Sequence, residues 1–285
     1  MLSDAFLRRL DALRLSMRSP AQGGAGGLRR SRALGTSVEF SDFREYAPGD
    51  DLRRLDWNAY ARFDRLFLKL FMEEQETQVN ILADASASMR EHGKWELARG
   101  LAELFAYLAL RGGDRVAVYA LGGETARAEG LSGRAGYMRA AEFLEGIRPA
   151  GEVRLCETLP RLPLRPGRGV SLLITDLMSP DGYENALRSL QYRKQETTLL
   201  HVLSPWEMQP ELDGMVRLID SETGEERELL IGGSMLESYR RALDGLLRGA
   251  EKFCCGREIP YLRLLSDMDV ESEALRALAR AGMIG

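Results

Sequence analysis

Cysteine is scarce in this 285-residue chain, and its three copies are badly placed for any framework. Cys254 and Cys255 are adjacent, Cys156 lies far away, and no Cys-x-x-Cys pair exists to grip zinc. A disulfide scaffold and a zinc ribbon are excluded. Three small buried apolar groups in a reducing compartment are expected instead. Histidine is scarcer still, with only His92 and His201. His201 falls in an apolar stretch and is expected to be packed rather than to act as a base, and His92 belongs to a solvated turn. Only four of the 39 basic residues are lysine: Lys69, Lys94, Lys194 and Lys252. The rest are arginines, suited to forked pairing with carboxylates. Long apolar runs are missing as well. None approaches the ~20 residues needed to span a bilayer, and Asp4, Arg8, Arg9 and Asp11 interrupt any signal-peptide core. A soluble, cytoplasmic protein is expected. A net charge of -4 gives no global attraction to nucleic acid.

What is present points to an α/β protein. Leu2, Phe6, Leu10, Leu13 and Met17 recur at helical spacing and predict a helix over 2–18 packed on the main domain. The glycine-rich run from Ser19 to Gly27 is a loop. It lacks the Gly-Lys-Ser/Thr and the preceding strand of a phosphate-binding loop. Residues 36–75 are dense in charged and aromatic side chains, with a strand predicted over Arg65–Glu73. Arg–carboxylate pairs between Asp42 and Arg62, with Trp57 and the phenylalanines as anchors, are expected to pin this segment to the domain. The acidic run Glu73-Glu74-Gln75-Glu76 is expected to be a solvated strand end.

A regular succession follows. Strands are predicted over Val79–Ala83, Arg115–Leu121, Thr125–Leu131, Val170–Thr175, Thr198–Leu203 and Tyr261–Leu265. Helices are predicted over Lys94–Arg111, Gly136–Ile147, Glu184–Arg193, Ser234–Lys252 and Ser272–Ala281. A β-hairpin insertion is expected at about 215–231. Short apolar strands alternating with amphipathic helices imply a mostly parallel central sheet with helices on both faces, Rossmann-like in class. The expected division is 1–75 as an N-terminal helix, loop and charged segment, and 76–285 as the α/β domain.

In such sheets ligands bind outside the carboxyl ends of the strands. Asp84, Ser86 and Ser88 stand there, after the first apolar strand. One carboxylate and two hydroxyls are hard oxygen ligands that leave a divalent cation electron-poor. That suits magnesium, with manganese as a substitute, and leaves room for a carboxylate from another protein. The competing explanation is plain capping of a helix start.

Asp84-Ala85-Ser86-Ala87-Ser88 resembles the Asp-x-Ser-x-Ser metal-ion-dependent adhesion motif of von Willebrand factor A domains. The stretch from Val38 to Asp51, with Arg53, Asp56-Trp57, Ala61-Arg62 and Glu73-Glu74, resembles the family catalogued as domain of unknown function 58. The resemblance implies a von Willebrand factor A-like fold, no established catalytic activity, and association with AAA+ ATPases of the MoxR group. It also implies two further metal positions. The later aspartate maps onto Asp176, acting through water. The threonine position maps onto Val153, which has no oxygen to offer, with Thr158 as ligand only in a shifted alignment. A vestigial metal site is therefore an alternative.

The rival function is a magnesium-dependent phosphohydrolase with Asp84 as nucleophile. Against it, Ser86 stands where such enzymes need a second acid, and no lysine is expected near the switch point. Serine hydrolase chemistry lacks its Gly-x-Ser-x-Gly elbow.

Overall fold

The computed structural model describes residues 2–13, 15–16, 39–47, 55–63, 65–72, 77–165, 167–221 and 224–285. The side chains of 39–44 and 69–72 are outside that description. The glycine-rich run, the acidic run after the second strand, and Asp50, Asp51 and Arg53 of the charged segment lie outside the described residues. By contacts the chain divides into two compact units, residues 32–76 and the remainder.

In the smaller unit, β1 (Glu39–Glu45) pairs antiparallel with β2 (Phe67–Met72), with a register shift between Phe40 and Asp42. Between them lies α2 (Trp57–Phe63). Asp56 starts that helix, its Oδ1 accepting from the Asn58 and Ala59 amides at 2.9 and 3.3 Å. The expected aromatic anchor is corrected here: Trp57 is 64% and Phe63 66% exposed. Of the expected ion-pair network, one exposed pair, Arg65 with Glu45 at 3.1 Å, is seen among the described residues.

The larger unit holds a six-stranded sheet of β3 (Gln78–Asp84), β4 (Arg115–Leu121), β5 (Ala126–Leu131), β6 (Gly169–Thr175), β7 (Gln195–Leu203) and β10 (Tyr261–Leu265). Its spatial order is β10-β7-β6-β3-β4-β5. Only β5 runs antiparallel, against β4. Counted from β3, this is the 3-2-1-4-5-6 order of doubly wound sheets, with the switch point between β3 and β6. β3 is therefore central.

The strands alternate between two cores, as a period of two demands. Val79, Ile81 and Ala83 of β3 enter one core with α3 (Lys94–Arg111), α4 (Gly133–Gly146) and α9 (Leu275–Arg280). Leu82 enters the other, with α5 (Leu155–Arg161), α6 (Glu184–Tyr192) and α8 (Gly233–Cys255). α1 (Asp4–Leu10) joins the first core through the fully buried Phe6 and Leu10. It is shorter than the helix expected over 2–18, because Leu15 bridges to Ile284 and the Ser16 amide donates to the Met283 carbonyl. The last helix is also interrupted. Residues Val270–Ala274 form a π turn ahead of α9.

A four-residue helix, α7 (Pro205–Met208), leads toward a hairpin of β8 (Gly214–Ile219) and β9 (Glu226–Ile231), close to the expected insertion. No helix among the described residues is long and apolar enough to cross a membrane.

The cysteines differ from the uniformly buried set expected. Cys254 is fully buried, Cys156 half-buried and Cys255 exposed. Burial pushes the Cys254 thiol up to about 12, so its thiolate is nearly absent at neutral pH. A native thiol titration should therefore label Cys255 quickly and leave Cys254 untouched until denaturant is added. Rapid labelling of three thiols in the folded protein would contradict this packing.

Candidate functional site

Asp84 closes β3, and Asp176 follows β6 directly, so the two acids face each other across the switch point. After Asp84 the chain runs through the site loop before α3, which starts where the sequence placed it. The loop makes a 3-10 turn over Ala87–Gly93, with His92 in the left-handed region, and α3 starts at Lys94. The Asp84 carboxylate accepts the Ser86 amide at 2.9 Å and so folds the loop back on itself. The site loop is then tied to its neighbours: the Ala150 amide donates to the Ala85 carbonyl, and the Ala87 amide to the Gly151 carbonyl, both at 2.9 Å. Gly151 has φ of +75°, and a Cβ there would lie 2.8 Å from the Gly123 Cα, so only glycine fits.

The hydroxyls are not spent on caps. Ser86 makes no side-chain capping bond. Its Oγ lies 3.0 Å from the Ser88 Oγ, and the Ser88 hydroxyl donates to the Asp176 Oδ2 at 2.9 Å. The capped-helix explanation therefore accounts poorly for Ser86 and Ser88. Asp84, Ser86 and Asp176 are at most 3% exposed, whereas Ser88 is half-buried and opens the cluster to solvent. Asp176 is steadied by the Met178 amide on its Oδ1 at 3.0 Å. The next residue, Leu177, is buried with φ of +60°, a strained backbone for a branched side chain at the rim of the sheet.

The site also contains residues the sequence did not single out. The Thr175 hydroxyl donates to the Asp84 Oδ2 at 2.6 Å. Lys94, 2% exposed, donates to the Asp176 Oδ2 at 2.8 Å and to the Glu207 Oε1 at 2.6 Å. The expectation that no lysine stands near the switch point is thus corrected. Lys94 is the first residue of α3, where the sequence placed the helix start, and its pairing with Asp176 is a long-range contact that no local pattern shows. Glu207 is fixed in turn by a capping box on α7. Its Oε2 accepts from the Ser204 amide and hydroxyl, and its own amide donates to the Ser204 Oγ. The Ser204-x-x-Glu207 spacing was the available sequence signal for that anchor.

The expected threonine position supplies nothing. The Val153 side chain is buried in the second core, and its carbonyl accepts from Ser179. Thr158 sits half-buried within α5. His201 is packed as expected: Nε2 lies 3.0 Å from the Asp176 carbonyl and Nδ1 2.8 Å from the Tyr261 hydroxyl. Burial drives its pKa down to about 4, so it is neutral at physiological pH. His92 is exposed and stacks on Trp206, ring centroids 5.1 Å apart.

Burial, and after it the charge of Asp176, pushes Asp84 up to about 6 against the opposing hydrogen bonds of Thr175 and Ser86. For Lys94, burial alone would favour the neutral amine. The charges of Asp176 and Glu207 outweigh it, leaving the ammonium above the ordinary lysine value. With the three acids ionised against one ammonium, the cluster carries two uncompensated negative charges.

The donor set fits a divalent cation. Magnesium–oxygen distances of about 2.1 Å place neighbouring octahedral ligands about 3 Å apart. The 3.0 Å between the serine hydroxyls and the 2.9 Å from Ser88 to Asp176 match that edge. The residues that would hold the ion are Asp84, Ser86, Ser88 and Asp176.

Several known proteins are similar to this chain. Among solved structures, BatB from Bacteroides thetaiotaomicron aligns with a TM-score of 0.45 at 17% identity, covering 72% of this chain and 98% of its own. A von Willebrand factor type A protein from Catenulispora acidiphila aligns with a TM-score of 0.35 at 17% identity, over 45% of this chain and 33% of its own. The fold class rests on the strand order itself, a doubly wound, mostly parallel sheet. By sequence, Uncharacterized protein Rv1480 of Mycobacterium tuberculosis is 27% identical over 281 residues, covering 95% of this chain and 88% of that protein. Uncharacterized protein Mb1516 of Mycobacterium bovis matches to the same extent. The profile of the family described as Protein of unknown function DUF58 matches residues 42–244, well over half of the chain. The chain belongs to the DUF58 family.

Proposed function

We propose that this chain is a non-enzymatic protein-binding module whose α/β domain, residues 76–285, holds a divalent cation on Asp84, Ser86, Ser88 and Asp176. When bound, the ion, magnesium or manganese, offers an open position to a carboxylate of a partner protein. The observation that carries this reading is the gathering of two uncapped serine hydroxyls and two acids at the carboxyl rim of the central strand. Ser88 gives that cluster its opening to solvent. A MoxR-type AAA+ ATPase as the partner, and a cytoplasmic location, follow from the family resemblance and from the lack of an apolar span.

The phosphohydrolase reading gains one observation, the presence of Lys94. It gains no more than that, since the ammonium is already engaged by two carboxylates and Ser86 still stands where a second acid is required. Affinity purification from the native host separates the readings. The ATPase should be recovered with the wild type in magnesium, and lost with Asp84→Ala, Ser86→Ala or a chelator. Equal recovery in all four conditions sinks the cation-dependent contact. Turnover of a generic phosphate ester with magnesium, abolished by Asp84→Asn, would replace the adaptor with an enzyme.

A further inference from the structure

The cluster already contains a cation of its own. Lys94 is one of four lysines in a chain that otherwise uses arginine, and the position calls for lysine. An ammonium is a compact point charge on a thin stem, where a guanidinium would need a planar fork of acceptors. Here the acceptors are single oxygens on two different elements, Asp176 Oδ2 and Glu207 Oε1. Burying an ammonium is costly unless carboxylates pair with it, and both contacts are short.

The Asp176 oxygen that accepts from Lys94 is the same one that accepts from the Ser88 hydroxyl. Any ion held by Ser88 and Asp176 therefore sits beside a fixed positive charge, in a place where water screens little. Glu207 gives Lys94 a second partner that lies outside the proposed ligand set. Its capping bonds and the Tyr239 hydroxyl on its carbonyl, at 2.8 Å, hold it in place. Asp176 can thus turn to an incoming ion without leaving the ammonium unpaired.

We infer that Lys94 is a tethered competitor for Asp176 that lowers the divalent-cation affinity of this site. The inference rests on the cation-binding reading above. Its consequence is that the ion is held weakly by this chain alone and firmly only once a partner's carboxylate adds a further oxygen ligand. The contact is then reversible, with both ion and partner required.

Calorimetric titration of the full chain with magnesium and with manganese tests this. Removing the ammonium in Lys94→Gln should tighten binding by roughly ten- to a hundredfold, the range of ordinary site-to-site couplings. Lys94→Gln leaves Glu207 unpaired and risks misfolding, so the charge-balanced double variant Lys94→Met/Glu207→Gln is titrated beside it, with the same gain expected. Asp84→Asn in each background should abolish binding. If wild type binds and the two Lys94 variants bind equally well or more weakly, the competition is refuted while the cation site stands. If no variant binds either ion, or if Asp84→Asn leaves binding intact, both readings fall together.

Discussion

Asp176→Ala should cost this protein about 3–5 kcal/mol of stability, the usual penalty for breaking a buried ion pair from one side. Asp84→Asn, one strand away, should cost far less. The difference follows from what each acid does. Asp176 faces the Lys94 ammonium at 2.8 Å and also accepts from Ser88 and the Met178 amide. Removing its carboxylate leaves a 2%-exposed cation with Glu207 alone. Asp84 has no cationic partner among these contacts. Its neighbours are the Thr175 hydroxyl and the Ser86 amide, and its own ionised form is opposed by burial and by Asp176. An asparagine keeps a carbonyl for the Ser86 amide and removes the repulsion. Urea denaturation of both variants checks the contrast. Equal losses would mean that Lys94 does not depend on Asp176, and the charge network described for the site would be wrong. A second measurement on the same samples is the rise in melting temperature with added magnesium, expected to vanish in both variants.

That two acids with such different roles look alike in the sequence marks the limit of pattern reading. The strands and helices of the sheet were legible because both faces are covered. Val79, Ile81 and Ala83 alternate with Leu82 into separate cores, and α3 carries its apolar stripe over Lys94–Arg111 as its spacing predicts. Asp84, Ser86, Ser88 and Asp176 were legible because each sits at or just past a strand end, where short-range order fixes position. The rest of the cluster was not. Lys94 reaches Asp176 across 82 residues and Glu207 across 113, pairings that no local periodicity encodes. Thr175 was hidden because it reads as the last residue of an apolar strand. Trp57 misled for a related reason: an aromatic beside a conspicuous charged run suggests an anchor, yet α2 turns it outward to 64% exposure. Propensity speaks to the element and says little about which face finds a neighbour.

The N-terminal helix gives the second large effect. Phe6→Ala is expected to destabilise the protein by about 3–5 kcal/mol, the range for truncating a buried phenylalanine. At roughly 2–4 °C per kcal/mol for a domain of this size, the melting temperature should fall by about 10 °C. α1 is only seven residues long and too short to persist alone, so its stability comes from docking. Phe6 and Leu10 are completely buried in the core that α3, α4 and α9 share with the sheet. Polar ties fix the approach. The Leu2 amide donates to Glu103 at 2.9 Å, Ser3 bonds to Glu271, and Asp11 accepts from Tyr107 and Arg111, both at 2.7 Å. Filling the lost volume would require helices on three sides to shift together, which close-packed interiors resist. Arg8→Ala on the exposed face is the control, expected to stay within about 0.5 kcal/mol of wild type. If Phe6→Ala melts alongside that control, residues 4–10 do not belong to the core in solution. The helix would then be an appendage that the domain can lose.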